Sequence, residues 1–434
     1  MVPLDSFFLI ELLRLVVVLL AFGLLFLSQR FWFTRAWRLT ARVARPTVRF
    51  FLRTILVLVV TAMVIPVGGW LLGMMPRHNA WFATVGLWVS SSLFAYLAVK
   101  SVRGLAWLWH RLRLFAGGAP QPAAVDLPPD PSRRSFFQTA SYVAGAVPFM
   151  GALYGFAAER LQFRVERVEV PIADLPPALD GLRIAQLSDI HIGPYLPRDQ
   201  VRRAAEMAKE LDPHLAVVTG DFITGTRDPL EACVEELARL RAPLGVWGCN
   251  GNHEIYADCE ARAQQLFRQA GARLLRQENV ELVWNGQPFN LIGVDYQRTR
   301  TLSGRRAIML ENLEPLVRRD VPNILLSHNP NSFPRAAELG IELTLAGHTH
   351  GGQIQVEILE SRFSAAQFIT EFIAGLYHRP LRWLSDRPAS DFSARIMNSN
   401  NQSILYVNRG LGTVGAPVRI GVPPEITLLT LRRA

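Results

Sequence analysis

Hydrophobic and polar positions divide the chain into two textures. In the first third the apolar residues run together: 7–27, 55–75, 81–99 and 136–158 are stretches long enough to cross ~30 Å of hydrocarbon as helices. The first holds Glu11 and Arg14, three apart on a helix and able to pair. The other three are uncharged, and the fourth is the weakest, with several Gly and Ala and an internal Pro148. From residue 163 short apolar runs alternate with helix-like stretches. Strands are predicted at 182–187, 215–219, 244–247, 291–294, 324–327, 343–346, 404–407 and 426–431, and helices at 198–211, 229–240 and 258–270. This alternation predicts an α/β fold. The expected organisation is a membrane domain of three transmembrane helices (1–118), a linker (119–135), a fourth transmembrane helix (136–158) and a second domain (159–434).

Charge sharpens the division. Of 46 basic and 36 acidic residues, 15 basic and four acidic ones precede residue 159, so the basic excess belongs to the hydrophobic part. Its Arg cluster in the connections 29–54 and 100–135, against Arg77 alone in 76–80. Positive-inside placement then puts both basic connections in the cytoplasm and the N-terminus outside. The fourth span carries the second domain to the outer or periplasmic side of a multi-pass cytoplasmic membrane protein. Ser132-Arg133-Arg134-Ser135-Phe136-Phe137 resembles a twin-arginine export motif, which makes that machinery an expected partner. The second domain is nearly neutral and lacks the basic footprint of nucleic-acid binding, so no nucleic acid is expected. Three cysteines, Cys233, Cys249 and Cys259, imply no disulfide framework.

Candidate chemistry follows the strands. Ser188-Asp189-Ile190-His191 comes after the first, Gly220-Asp221 after the second and Gly251-Asn252-His253-Glu254 after the third. His328 follows 324–327, and Gly347-His348-Thr349-His350 follows 343–346. Ligand sites in α/β sheets gather at the carboxyl ends of strands, so these loops can converge. Two carboxylates, an amide and several imidazoles are mixed N and O donors that suit divalent Mn, Fe, Zn, Co or Ni. Gly410-Leu411-Gly412-Thr413-Val414-Gly415 fits a dinucleotide fingerprint but is followed by Ala416-Pro417 instead of a helix, so nucleotide binding there is not expected. His78, His110, His214 and His378 are read as structural.

The ordered series Asp-x-His, Gly-Asp, Gly-Asn-His-Glu, a lone His and Gly-His-x-His resembles the calcineurin-like metallophosphoesterase superfamily. Ser327-His328-Asn329-Pro330, the run from Gly347 to Gln353, Gly410-Leu411-Gly412 and Pro423-Pro424-Glu425 are similar to its membrane-associated bacterial branch. The resemblance covers residues 163–431 and implies a β-sandwich flanked by helices. It implies that Asp189, His191 and His350 hold one metal, that Asp221 bridges, and that Asn252, His328 and His348 hold a second. His253 becomes the proton donor to the leaving group. The implied activity is hydrolysis of phosphoester bonds, diesters in particular, by a metal-bridging hydroxide, on a substrate that is membrane-associated, lipid-linked or soluble. The alternatives are a nuclease or nucleotide phosphodiesterase, and a non-catalytic metal-binding membrane sensor. Residues 357–401 are longer than this branch leads one to expect. There Phe368, Phe372, Ile373, Leu376 and Tyr377 share one helical face, which predicts an amphipathic helix against the bilayer or over the site.

Overall fold

The computed structural model describes residues 4–71, 80–116, 131–298, 308–358, 361–368, 370–381 and 402–434. The chain forms two compact units, Met1–Tyr154 and Gly155–Ala434. His78 and most of the predicted linker lie outside the described residues, as do 382–401 of the long segment.

The first unit is helical: α1 (Leu4–Thr40), α2 (Pro46–Leu71), α3 (Ala80–Ala116) and most of α4 (Pro131–Ala157). Among the described residues, three stretches are long and apolar enough to cross a membrane: Pro46–Ile65, Thr84–Trp109 and Ser135–Leu161. The predicted first span lies within α1, whose main chain is helical throughout. Polar side chains tie α1 to α3. Ser28 Oγ and Trp32 Nε1 both donate to the Ser92 carbonyl (3.1 and 2.8 Å), and Gln29 Nε2 donates to Ser92 Oγ (2.8 Å). The predicted linker ends earlier than residue 135. Pro131 opens α4, a position where its missing N–H costs nothing, and Arg133 and Arg134 fall in the first turn of that helix.

The second unit is a sandwich of two six-stranded sheets. The first is β1 (Arg164–Ile172), β2 (Arg183–Leu187), β3 (Leu215–Thr219), β4 (Val246–Cys249), β5 (Arg273–Leu274) and β14 (Glu425–Arg433), in the order β1-β14-β2-β3-β4-β5. The second is β6 (Glu278–Trp284), β7 (Gln287–Gly293), β8 (Asn323–Leu326), β9 (Leu343–Ala346), β12 (Gly375–Pro380) and β13 (Gln402–Val407), in the order β12-β13-β9-β8-β7-β6. A short hairpin, β10 (Val356–Ile358) and β11 (Ser361–Phe363), lies apart. Strands β2 to β5 run parallel, as do β7, β8, β9 and β13.

Period-two alternation builds the layers. Ile184, Leu215 and Val217 point inward to meet Leu291, Ile324, Leu326, Leu343 and Leu345 of the facing sheet. Their neighbours Leu187, Ala216 and Val218 point outward, under α5 (Arg198–Glu210), α6 (Leu230–Leu237) and α8 (Glu260–Gln269). A helix-facing surface on each parallel stretch explains why these strands read as continuous apolar runs. On the other sheet Ile292 and Leu325 pack beneath Ala336 of α9 (Phe333–Glu338).

The predicted amphipathic helix is corrected. Ala365–Phe368 is a single 3-10 turn, and Gly375–Pro380 is β12, paired antiparallel with β13. Phe372, Leu376 and Tyr377, which share that helical spacing, pack in the core instead. Phe372 is buried with its ring 5.7 Å from Phe333 and 5.2 Å from Tyr377, and Tyr377 lies on the new strand. Thus tertiary packing overrides local periodicity here.

Candidate metal centre

The parallel strands end in loops that meet at one edge of the sandwich. Asp189 and His191 follow β2, Asp221 follows β3, and Asn252 opens the short helix α7 (Asn252–Tyr256) just after β4. His328 follows β8, and His348 and His350 follow β9. Six of the seven sequence-predicted ligands gather in two groups, and Asn252 sits at the neighbouring strand end. Asp189, His191 and His350 form one group whose ligand atoms lie within 4.8 Å of one another, and Asp221, His328 and His348 form another. The two groups touch through Asp221, whose Oδ2 is 3.5 Å from His191 Nε2 and 3.1 Å from His328 Nε2. A third trio, His191, Asp221 and His253, brings the predicted proton donor to the same edge.

The backbone is forced to deliver these groups. Asp189, His191, Asp221, His348 and His350 all have positive φ, between 49° and 75°, where side chains with a Cβ are disfavoured. Strain of this kind persists only where surroundings over-determine it, and it gathers at functional sites. Two glycines permit the close approach: a Cβ on Gly251 would stand 2.1 Å from Asp221 Oδ1, and one on Gly347 would stand 2.2 Å from Asp189 Oδ2.

Four of the imidazoles have a partner on the other nitrogen. His328 Nδ1 donates to the Thr219 carbonyl at 2.6 Å, and His350 Nδ1 to the Gly412 carbonyl at 3.3 Å. His253 Nδ1 donates to the Thr224 carbonyl at 2.7 Å, while Thr224 Oγ1 sits 3.0 Å from His191 Nδ1. A carbonyl only accepts, so these contacts put the proton on Nδ1 and turn Nε2 inward. Among the described residues, the buried atoms His191 Nε2, His328 Nε2 and Asn252 Oδ1 make no hydrogen bond. Buried polar atoms are almost always satisfied. His191 Nε2 and His328 Nε2, 3.5 and 3.1 Å from Asp221 Oδ2, and Asn252 Oδ1 at the next strand end fit metal ions as the missing partners.

Electrostatics point the same way. Burial pushes the Asp189 carboxyl up, with His328 and Asp221 acting in opposite senses. Burial would raise Asp221 too, but His328 and His191 hold it well below the carboxylate range. Against burial, Asp221 and Asp189 lift His328 to about 10, a pull on positive charge that a cation satisfies. Burial lowers His348 to about 3 and, helped by His191, holds His350 well below the usual range, so both rings are neutral and ready to ligate. Burial also lowers His253 to about 4.

Comparison with known proteins agrees with this geometry. The profile of the calcineurin-like phosphoesterase family matches residues 182–352, which include every predicted ligand. A metallophosphoesterase of Aquifex aeolicus, itself uncharacterised, is 30% identical over 62% of this chain and 92% of its own length. The chain belongs to the calcineurin-like phosphoesterase family. Among other family members, a bovine transmembrane protein with a metallophosphoesterase domain is 32% identical over 62% of this chain and 57% of that protein. UDP-2,3-diacylglucosamine pyrophosphatase LpxG of Chlamydia trachomatis is 26% identical over 58% of this chain and 84% of its own length. The chain thus matches little more than half the length of the bovine relative.

Membership in the family leaves several supporting residues that sequence reasoning did not assign. Glu254, fully buried, accepts from the N–H groups of Asp221 (2.9 Å), Phe222 (2.8 Å) and Gly251 (2.8 Å), stitching the β3 loop to the β4 loop. Burial and then Asp221 raise it to about 7. Asp228 holds the Thr224 turn by accepting from the N–H groups of Thr224 and Gly225 (2.8 and 2.9 Å). Tyr296 lies against both His328 and His348, with ring centroids 6.0 and 5.3 Å away. The Gly410–Gly412 loop, set aside as a nucleotide fingerprint, lines the first ligand group. The signal for Glu254 was its fixed place in Gly-Asn-His-Glu; Asp228 and Tyr296 carry none in sequence. His214, read as structural, stacks on Trp284 at 4.1 Å and accepts from the Arg183 N–H.

Proposed function

We propose that this chain is a membrane-anchored phosphoester hydrolase working with two divalent transition-metal ions. The observation that carries this reading is the gathering of five imidazoles' ligand atoms around the buried carboxylates of Asp189 and Asp221. Asp189, His191 and His350 would hold one ion, Asn252, His328 and His348 the other, and Asp221 would bridge them. When bound, the ions would lower the pKa of a water so that it can attack near neutral pH and would supply positive charge for the phosphoryl oxygens.

The remaining work falls to the chain's own groups. His253, locked by the Thr224 carbonyl, presents Nε2 towards the leaving side and gives it a proton. Burial holds the free ring near 4, and a bound phosphate anion opposes that shift by favouring the cationic form. Tyr256, exposed one turn beyond His253, and Arg298, 5.8 Å over its ring, form the rim that meets the rest of the substrate.

Substrate class and placement are also part of this reading. The LpxG relative is named for cleaving a diphosphate that carries two acyl chains, and three apolar helices precede the domain here. Both support a phosphoester or diphosphate borne on a lipid. The Arg-rich connections support a catalytic unit on the outer side of the cytoplasmic membrane, and the Arg133-Arg134 pair supports delivery by the twin-arginine machinery.

The test is hydrolysis by the detergent-solubilised chain, loaded in turn with Mn, Fe, Zn, Co or Ni, on chromogenic diesters, nucleotides and lipid diphosphates. Metal-dependent turnover is expected, and Asp221→Asn should lose metal from both sites and lower the rate at least about 10²-fold. Absence of turnover with every metal and substrate would leave the sensor alternative standing.

A further inference from the structure

Among the described residues of the catalytic unit, Arg419 is the largest side chain with no exposed surface. A guanidinium out of water is costly unless its donors are met. Among the described residues, the hydrogen bonds of this one go to main-chain carbonyls. Nη2 donates to the carbonyls of Arg409 (2.9 Å), Gly410 (2.9 Å) and Gly412 (2.6 Å), and Nη1 to that of Val422 (3.2 Å). The neighbouring acid Glu425 is taken by Arg409 and Tyr406. Burial lowers Arg419 to about 10, which leaves it cationic at neutral pH.

Three of these carbonyls, those of Arg409, Gly410 and Gly412, belong to the loop beside the first ligand group. That loop is held from its other side by its own N–H groups: Leu411 donates to the Ser188 carbonyl (3.0 Å) and Gly412 to that of Asp189 (2.7 Å). The Gly412 carbonyl has two lone pairs. One accepts from Arg419 and the other from His350 Nδ1. In the second ligand group His328 is instead oriented by Thr219, on β3.

We infer that Arg419 is the positioning residue of the first metal site: by fixing the Gly412 carbonyl it sets the tautomer and ring plane of His350, and so governs the affinity of that site without governing the other. The inference rests on the two-metal reading above. Arg suits the task because its planar fork meets several acceptors at once, whereas an ammonium is a point charge on a flexible stem. Partners of this kind are typically worth about 10–100-fold in metal affinity.

The test uses the full chain in detergent, stripped of metal and titrated with cobalt(II) by calorimetry and visible absorption. Arg419→Met and Arg419→Lys are compared with wild type, and His350→Ala and His348→Ala mark which site each step belongs to. The expected result is at least about 10-fold weaker binding at the first site in Arg419→Met, with the second unchanged and a spectrum like that of His350→Ala. Arg419→Lys keeps the charge and loses the fork, so a smaller loss at the same site is expected; this variant carries the test if Arg419→Met does not fold. A residue that only holds the fold together would lower Tm and leave the ratio of the two affinities unchanged. An unchanged ratio in folded Arg419→Lys would overturn the inference. Wild-type protein that binds no cobalt would overturn the two-metal reading itself, a result distinct from any contrast between variants.

Discussion

At the scale of single residues, adjacent side chains in one loop take different tasks through the contacts of their second atoms. Asn252 leaves Oδ1 buried without a hydrogen bond, which marks it for a metal. His253, next in sequence, has Nδ1 occupied by the Thr224 carbonyl at 2.7 Å and stands edge-on to His191, ring centroids 4.8 Å apart. If His253 protonates the leaving group, His253→Ala keeps both metals and slows turnover by about 10²–10⁴-fold. The loss should be largest for alkyl esters and shrink for nitrophenyl esters, whose leaving groups depart without a proton. Rates measured on esters graded by leaving-group pKa decide this. Loss of metal from the variant would instead make His253 a ligand, which its trio with His191 and Asp221 permits. A uniform defect across leaving groups, with metal retained, would remove the acid role. Asn252→Ala should differ by weakening the second metal and slowing all substrates alike.

At the scale of elements, α5 is fastened to α6 chiefly through Glu236. Glu236 of α6 has a side chain 1% exposed and accepts from Arg198 and Arg202 of α5 (2.5 and 2.9 Å) and from Arg239 (2.7 Å). The Arg202 guanidinium, ahead of the opposing effect of burial, holds Glu236 well below its ordinary 4.5. A depressed carboxyl contributes stability that is fully present above the unfolded-state value and is lost as pH falls below it. Tm of the wild type should therefore fall on acidification below about pH 4.5, and Glu236→Gln should lower Tm by a few degrees at neutral pH while flattening that acid limb. A variant that kept the wild-type slope would assign the acid limb to other carboxylates. The same scale shows what sequence could and could not convey. Fully buried parallel strands such as β3 and β9 announce themselves as short apolar runs, and each of these two was predicted to its exact ends. The edge strands were harder. The alternation in β6 sits beside an Asn285-Gly286 turn, a hairpin signal that was there to be read, whereas the helical spacing near Phe372 pointed to the wrong element. The candidate ligands were legible because each follows a strand end. Positive φ at Asp189 or His350, and the carbonyls that fix each imidazole, depend on long-range contacts with no local trace.

At the scale of the whole molecule, the open question is which side of the membrane the catalytic unit occupies. The argument is electrostatic: Arg in the connections 29–54 and 100–135 resist translocation, while the short connection 76–80 carries Arg77 alone. If all four predicted spans cross, the N-terminus and the catalytic unit share a side, and the charge pattern would make it the outer one. A periplasm-active reporter fused after Ala434 should then be active, and a cytoplasm-active one fused within 117–122 should be active too. The export route is a separate matter. Arg133 and Arg134 occupy the first turn of α4, just ahead of the apolar stretch Ser135–Leu161. Replacing both by Lys keeps the positive charge and hence the topological bias, but removes a twin-arginine signal. If the folded-export machinery carries the domain, the double Lys variant should accumulate with its catalytic unit inside, metal-loaded and protected from external protease. If Arg133 and Arg134 act only as flanking charge, the variant should be exported as the wild type is, and protease added outside should cut both equally.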